Sequence, residues 1–110
     1  MKIGLTSYSL HADIKSGRKT IQDAMRFAKA SGAEHIEIVP LCFALRDDAT
    51  GVIHDALIEE IRALSEELNL PISNYAISAN LMAEDTDARR AEVERVKRHV
   101  DVACKLGVPT

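Results

Sequence analysis

Apolar and polar residues alternate at the start of the chain. In residues 2–8, Ile3 and Leu5 lie on one face of an extended segment, and the residues between them lie on the other. A two-residue period built from β-type side chains is typical of a strand. Two later segments have the same short, β-type character. The sequence therefore predicts strands at about residues 2–8, 35–39 and 72–78.

Between these segments, apolar residues recur every three or four positions, which is the period of an amphipathic helix. This period predicts helices at about residues 19–31, 53–68 and 88–106. We expect each helix to bury one apolar stripe. The three expected stripes are Ile21, Ala24, Met25 and Ala28; then Leu57, Ile61, Leu64 and Leu68; and then Val93, Val96, Val100 and Ala103.

The ends of the predicted helices repeat at a regular interval. Thr20 and Asp23 have the spacing of a capping box at the start of the first helix. Gly32, Asn69 and Gly107 follow the three helices and are 37 and 38 residues apart. Glycine and asparagine are the residues that most readily end a helix in the left-handed conformation. A repeat of this length, each a strand followed by a helix, predicts an α/β chain with a parallel sheet.

Two architectures contain parallel units of this kind. One is an open doubly wound sheet, and the other is part of a TIM (β/α)8 barrel of about 250 residues. Residues 9–17 are predicted to form a polar loop, and they contain no glycine-rich phosphate-binding pattern. This favours the barrel and leaves a flavodoxin-like open sheet as the alternative. Our interpretation is that residues 1–110 form one partial domain, the first three to three-and-a-half units of a barrel.

Composition and charge narrow the classes of function. The 110 residues carry a net charge of −3 with the two signs interspersed, whereas a nucleic-acid interface is usually a basic patch. No apolar run approaches the roughly 20 residues of a membrane span, and no signal peptide is evident. Two cysteines, Cys42 and Cys104, are too few for a disulfide scaffold. We expect a cytoplasmic protein that binds neither nucleic acid nor membrane.

Four segments, taken together, resemble a known family. They are the opening KIGLTSYSL, the joint AKASGAEHIEIVP, the third predicted strand with its flanks, LPISNYAISANL, and the C-terminal VERVKRHVDVACKLGVPT. In this order and spacing they resemble the N-terminal part of the sugar phosphate isomerase/epimerase family. These proteins are TIM barrels of the xylose-isomerase-like superfamily, and the resemblance covers essentially the whole chain.

The resemblance implies an enzyme that transfers a proton next to a carbonyl of a sugar, a polyol or a related keto compound. It also implies a divalent metal, Mn, Mg, Zn or Co, at the carboxyl ends of the barrel strands. The family's metal ligands come mostly from the second half of the barrel, so none is carried over onto a residue of this chain. The superfamily also contains apurinic endonucleases of the endonuclease IV type. The acidic charge disfavours that branch, because DNA binding relies on phosphate contacts.

The candidate site residues follow the predicted strands, because barrels place their sites at the carboxyl ends of strands. Glu37 alternates with two isoleucines, so its carboxylate is expected to point away from the helices. There it would bind a substrate hydroxyl or support a metal ligand. Five other polar residues would bind hydroxyls, and the histidine among them also suits acid–base chemistry. They are Tyr8, Ser9, His11, Ser78 and Asn80.

Each candidate also has an ordinary alternative. Glu37 would then be a solvated carboxylate, and the other five would belong to a polar loop or cap a turn. Cys42 is expected to be a small buried side chain. The remaining histidines are expected to be structural or to face solvent, and they are His35, His54 and His99. No His-x-x-x-His or Cys-x-x-Cys spacing provides a local metal motif.

The leading hypothesis is the N-terminal part of a metal-dependent sugar or sugar-phosphate isomerase or epimerase. The alternative is a truncated, non-catalytic half-barrel that associates with a copy of itself or with a missing barrel half. Three barrel strands in a row would expose a sheet edge and an apolar inner face, and both favour association. We therefore also expect marginal stability or oligomerisation for the isolated chain.

Overall fold

The structure, a computed structural model, describes residues 2–40, 43–82 and 84–109. Three strands form one sheet: β1 (Gly4–Thr6), β2 (His35–Ile38) and β3 (Ile72–Tyr75). A 3-10 helix at Ser7–Leu10 leads directly into the first α-helix. The helices are α1 (His11–Lys15), α2 (Ile21–Ala30), α3 (Asp55–Glu67) and α4 (Thr86–Leu106).

All strand pairs in the sheet are parallel, in the order β1-β2-β3. Each strand is followed by at least one helix before the next strand begins, so the chain consists of successive strand–helix units. The predicted α/β class with parallel units is therefore confirmed. The strands are shorter than predicted, since β1 ends at Thr6 and β3 at Tyr75.

The segment after β1 is helical, and the prediction of a polar loop at residues 9–17 is wrong for most of its length. The side chain of Thr6 accepts a hydrogen bond from the backbone N–H of Tyr8 and so caps the 3-10 helix. Leu10 and Ile14 are four residues apart and pack against the core. Two apolar residues among seven polar or small ones are too few for a helical period to be recognised in the sequence.

The core lies between the sheet and the helices. Ile36 and Ile38 of β2 are fully buried there, together with all four residues of the stripe predicted for α2. In α3 the buried residues are Ile58, Ile61 and Leu64, while Leu57 and Leu68 are only partly buried. The middle of the predicted α3 stripe is therefore buried, but at its two ends the buried face is rotated from the predicted one by part of a helical turn.

The buried stripe predicted for α4 is wrong. The residues that α4 buries are His99, Val102 and Leu106, whereas Val93 is 39% exposed and Val100 is 56% exposed. The valines form a second apolar stripe on the same helix. A hydropathy pattern predicts this stripe as the buried face because it counts His99 as polar. The structure buries His99 because both of its ring nitrogens have hydrogen-bond partners.

The predicted helix ends agree with the structure. Thr20 and Asp23 form a capping box, in which each side chain accepts a hydrogen bond from the other residue's backbone N–H. Asn69 has a φ of 51° and Gly107 a φ of 76°, which is the left-handed conformation expected after a helix. Among the helices of residues 2–40, 43–82 and 84–109, none has the length and apolarity needed to cross a membrane.

Candidate functional site

A row of polar side chains crosses the sheet near the carboxyl ends of its strands. The register places Thr6 of β1 opposite Glu37 of β2, and Glu37 opposite Asn74 of β3. We call Thr6, Glu37 and Asn74 the polar row. Ile36 and Ile38 point into the core, so Glu37 points to the other face of the sheet, as the sequence predicts.

Both oxygens of the Glu37 carboxylate accept hydrogen bonds within the polar row. The Thr6 hydroxyl donates to Oε1 at 3.2 Å, and the Asn74 amide donates to Oε2 at 2.8 Å. Since both partners donate, the arrangement suits an ionised carboxylate. Each oxygen has a second lone pair, so a half-buried Glu37 can still accept a hydrogen bond from a ligand hydroxyl.

A β-bulge in the last strand brings Asn74 into the polar row. Ile36 pairs with Ile72 and Glu37 with Asn74, so Ser73 is an extra residue on β3. Its hydroxyl donates to the carbonyl of Ile36 at 3.3 Å. Bulges often lie beside functional sites because they re-aim side chains. The sequence analysis missed Thr6 and Asn74; the one available signal was an asparagine inside a predicted strand, where this residue is uncommon.

A second set of polar contacts lies on the same face, toward the start of the strands. The Nδ1 atom of His35 donates to the Ser73 hydroxyl oxygen at 3.0 Å. The imidazole ring lies against Gly4, where an added Cβ would be 1.9 Å from the ring. The strands thus carry polar side chains on this face, and the expectation of an apolar inner face is wrong.

The candidates after β1 form an exposed aromatic pair. The rings of Tyr8 and His11 stack with their centroids 4.6 Å apart. The Nδ1 atom of His11 donates to the backbone carbonyl of Tyr8 at 2.8 Å. A carbonyl oxygen can only accept, so Nδ1 of His11 carries a proton. Ser9 is exposed in the same 3-10 helix.

The two candidate residues that follow β3, Ser78 and Asn80, make hydrogen bonds that hold the loop leading to α4. Ser78 accepts a hydrogen bond from Arg95 at its backbone carbonyl. The Asn80 side chain accepts from the N–H of Met82, and the Asn80 N–H donates to Glu92. Asn80 therefore has the turn role that was its alternative interpretation. Neither Ser78 nor Asn80 belongs to the polar row, and both contact residues of α4 instead. Cys42 lies outside the described residues.

A cluster of charged and aromatic side chains joins the loop between β2 and α3 to α4, and the sequence analysis did not predict it. Asp48 accepts hydrogen bonds from Arg46 at 2.5 Å, from Arg95 at 3.1 Å and from Nε2 of His99 at 2.9 Å. The Tyr75 hydroxyl donates to Nδ1 of His99 at 2.9 Å. We call this set, with Glu92 bound to Arg95, the charge cluster. Its hydrogen bonds join residues up to 51 positions apart, so no local sequence motif predicts it.

The contacts in the charge cluster shift the acidities of its members. Partial burial works to raise the pKa of Asp48, but hydrogen bonds from the two arginines and His99 outweigh burial and hold the pKa below 3.8. The hydrogen bond from Arg95 holds the pKa of Glu92 below its ordinary value. Burial, with a smaller contribution from the Asp48 charge, raises the pKa of Tyr75 to about 12.

Among the side chains that the structure describes, no three of the His, Cys, Asp and Glu residues lie close enough to hold an ion together. Glu37 is engaged with Thr6 and Asn74 rather than with another metal-ligating side chain. We therefore assign no chemical step to a metal on these residues.

Comparison with known proteins adds no family to this description. No protein-family model matches the chain, and no curated protein matches it either.

Proposed function

We propose that the chain is the N-terminal part of a barrel enzyme that isomerises or epimerises a sugar, a polyol or a sugar phosphate. The observation that carries the proposal is the held carboxylate of Glu37. It lies near the carboxyl ends of parallel strands, on the face of the sheet opposite the helices, with Thr6 and Asn74 fixing both of its oxygens. In a barrel this face is the interior and this end holds the site.

The proposed chemistry is a proton transfer next to a carbonyl. A base takes the proton from the adjacent carbon. In epimerisation a proton returns to the other face of that carbon. In isomerisation a proton is added to the carbonyl carbon, and the hydroxyl proton of the adjacent carbon is transferred to the former carbonyl oxygen. No oxidant or reductant is consumed. Within this scheme, Glu37 accepts a hydrogen bond from a substrate hydroxyl and orients the ring or chain. The imidazole of His11, stacked on Tyr8 just after β1, is the candidate acid–base group in this scheme.

Solvent deuterium incorporation tests this proposal. The full-length protein that contains this chain, purified from its source, is incubated with aldoses and ketoses in D2O, with and without added Mn²⁺ or Mg²⁺, and deuterium next to the carbonyl is followed by NMR. We expect incorporation above the buffer rate and a loss of at least about tenfold in Glu37→Gln. Glu34→Gln is the matched control, because Glu34 is an exposed carboxylate immediately before the same strand. Incorporation that is absent, or equal in both variants, would overturn the proposal.

The intact mass of the native protein from its source is the companion measurement. A TIM barrel has about 250 residues and a mass near 28 kDa. The present chain has a mass of 12.1 kDa. A native mass of 12.1 kDa would contradict the barrel enzyme and favour the second candidate below.

The second candidate is a non-catalytic chain that associates with copies of itself. The observation that favours it is the second apolar stripe of α4, which exposes Val93 and Val100 at a spacing of seven residues. Such spacing places both side chains on the same face of the helix. A concentration-dependent mass in sedimentation would support this candidate, and a constant monomer mass would exclude it.

A further inference from the structure

A pocket of about 440 Å³ lies on the helix side of the sheet, away from the polar row. Tyr75 lines it, and the neighbouring Asn74 belongs to the polar row. Successive residues of a strand point to opposite faces, so the two sites are on opposite sides of the sheet. The pocket opens beside residues that follow the strands, Pro40 after β2 and Ile77 after β3. The volume is within the range of small-molecule sites.

Five members of the charge cluster line this pocket, all of them except Glu92. The ion pairs of the charge cluster alternate in sign along the series Glu92, Arg95, Asp48 and Arg46. Arg95 lies inside the series and binds two carboxylates and the carbonyl of Ser78. The Asp48 carboxylate is likewise occupied, with two arginines and His99 as donors. The inner members therefore have little capacity for a ligand.

Arg46 is the end of the series and has donors to spare. Its guanidinium carries five N–H groups. Among the described residues it makes one hydrogen bond, to Asp48. Its side chain is 12% exposed and lines the pocket. No buried side-chain nitrogen or oxygen in the described residues lacks a partner, so the nitrogens of Arg46 that make no hydrogen bond keep some solvent contact.

The opposite wall of the pocket is apolar. Phe43, Leu45 and Ile77 contribute to it, and Phe43 is only partly buried. A ligand that fits both walls has an anionic end and a carbon skeleton. The guanidinium fork matches the oxygens of a phosphate or a carboxylate, which it binds with two parallel hydrogen bonds.

We propose that this pocket binds a small organic oxyanion, with its phosphate or carboxylate group on Arg46 and its carbon skeleton on Phe43 and Ile77. Asp48 holds the guanidinium of Arg46 in place. His99 and Tyr75 in turn hold Asp48 through two hydrogen bonds in series. The site is independent of the barrel chemistry proposed above, because none of its residues belongs to the polar row.

The test is a titration of the ¹⁵N-labelled chain with inorganic phosphate, methyl phosphate and acetate at constant ionic strength. We expect saturable shifts of the backbone amides of residues 43–46 and 77–78. Methyl phosphate binding tighter than acetate identifies a phosphate site, and the reverse order identifies a carboxylate site. Binding should weaken by about tenfold or more in Arg46→Gln, since a charged hydrogen bond is lost.

Two further variants make the result decisive. Arg18→Gln removes the same charge from an exposed position outside the pocket and should leave binding unchanged. Arg46→Lys keeps the charge beside Asp48 but lacks the fork, so it should fold normally and bind more weakly. Shifts that do not saturate, or that persist equally in Arg46→Lys and Arg18→Gln, would overturn the proposal.

Discussion

At the scale of single residues, every buried side-chain nitrogen and oxygen within residues 2–40, 43–82 and 84–109 has a hydrogen-bond partner. His99 is 6% exposed and lies between the hydroxyl of Tyr75 and the carboxylate of Asp48. The Asp48 carboxylate can only accept, so the Nε2 atom of His99 carries a proton; in a neutral imidazole Nδ1 then accepts from the Tyr75 hydroxyl. The same two hydrogen bonds connect the end of β3 to the loop that precedes α3. One buried histidine thus links three parts of the chain.

Removing the Tyr75 hydroxyl should destabilise the protein. In Tyr75→Phe, the Nδ1 atom of His99 is left buried without a donor, which costs about 1–3 kcal/mol in the free energy of unfolding. Urea denaturation followed by circular dichroism measures this loss. Tyr8→Phe is the control, because Tyr8 is 48% exposed and its removal leaves no buried group unpaired. Equal stabilities for the two variants would show that the hydrogen bond to His99 is not stabilising.

The ionisation of Tyr75 predicts a loss of stability in alkali. Its pKa is raised to about 12 in the folded chain, against about 10 for a free tyrosine. The folded state therefore holds this proton more tightly than the unfolded state. The resulting stability is complete below pH 10 and is lost between pH 10 and pH 12. In Tyr8→Phe, where Tyr75 is the only tyrosine, ultraviolet absorbance should titrate with a midpoint near 12. A midpoint near 10 would contradict the burial of this hydroxyl.

The imidazole ring of His35 occupies the space that a side chain at position 4 would need. A methyl group at this position would be 1.9 Å from Cε1 of His35, so Gly4→Ala must displace the ring and its hydrogen bond to Ser73. We expect Gly4→Ala to cost about 1–3 kcal/mol in the free energy of unfolding. The cost should largely disappear when His35→Ala is already present, which a double-mutant cycle measures. An equal cost in both backgrounds would show that His35 is not the obstacle.

At the scale of elements, the ends of the helices are fixed by local contacts. Thr20→Ala removes the cap of α2 and should lower the free energy of unfolding by about 1 kcal/mol. Thr20→Ser retains a hydroxyl that accepts from the N–H of Asp23 and should preserve most of the stability. Thermal unfolding of both variants provides the comparison. If serine and alanine are equally destabilising, the methyl group of Thr20 matters more than its cap.

Those features that depend on neighbours in sequence could be predicted, and those that depend on distant pairs could not. The capping box, Asn69 and the stripe of α2 each follow from residues within one or two helical turns. The orientation of Glu37 follows from the two-residue period of a strand. The bulge at Ser73 depends on the pairing of β2 with β3, 37 residues away. The burial of His99 depends on Asp48, which is 51 residues away, so the local pattern predicts the wrong buried face of α4.

At the scale of the whole molecule, the two faces of the sheet differ in what they offer. The core covers one face with the isoleucines of β2, and the other face carries the polar row and His35. A polar sheet face does not drive association by the hydrophobic effect. Among the exposed apolar side chains elsewhere, Val93 and Val100 share one face of α4, and Val100 is 56% exposed. Association of this chain should therefore depend on α4 rather than on the sheet face.

This dependence is testable with two exposed valines. Val100→Glu places a charge in the second apolar stripe of α4, and Val52→Glu places the same charge at a residue of similar exposure, 53%, in the loop before α3. If the wild-type chain associates at high concentration, sedimentation velocity should show a shift to monomer in Val100→Glu and none in Val52→Glu. Burial of a charge at an apolar contact costs enough to reduce the association constant by about tenfold or more. Dissociation by both variants would indicate a general effect of charge, and dissociation by neither would place the contact elsewhere on the molecule.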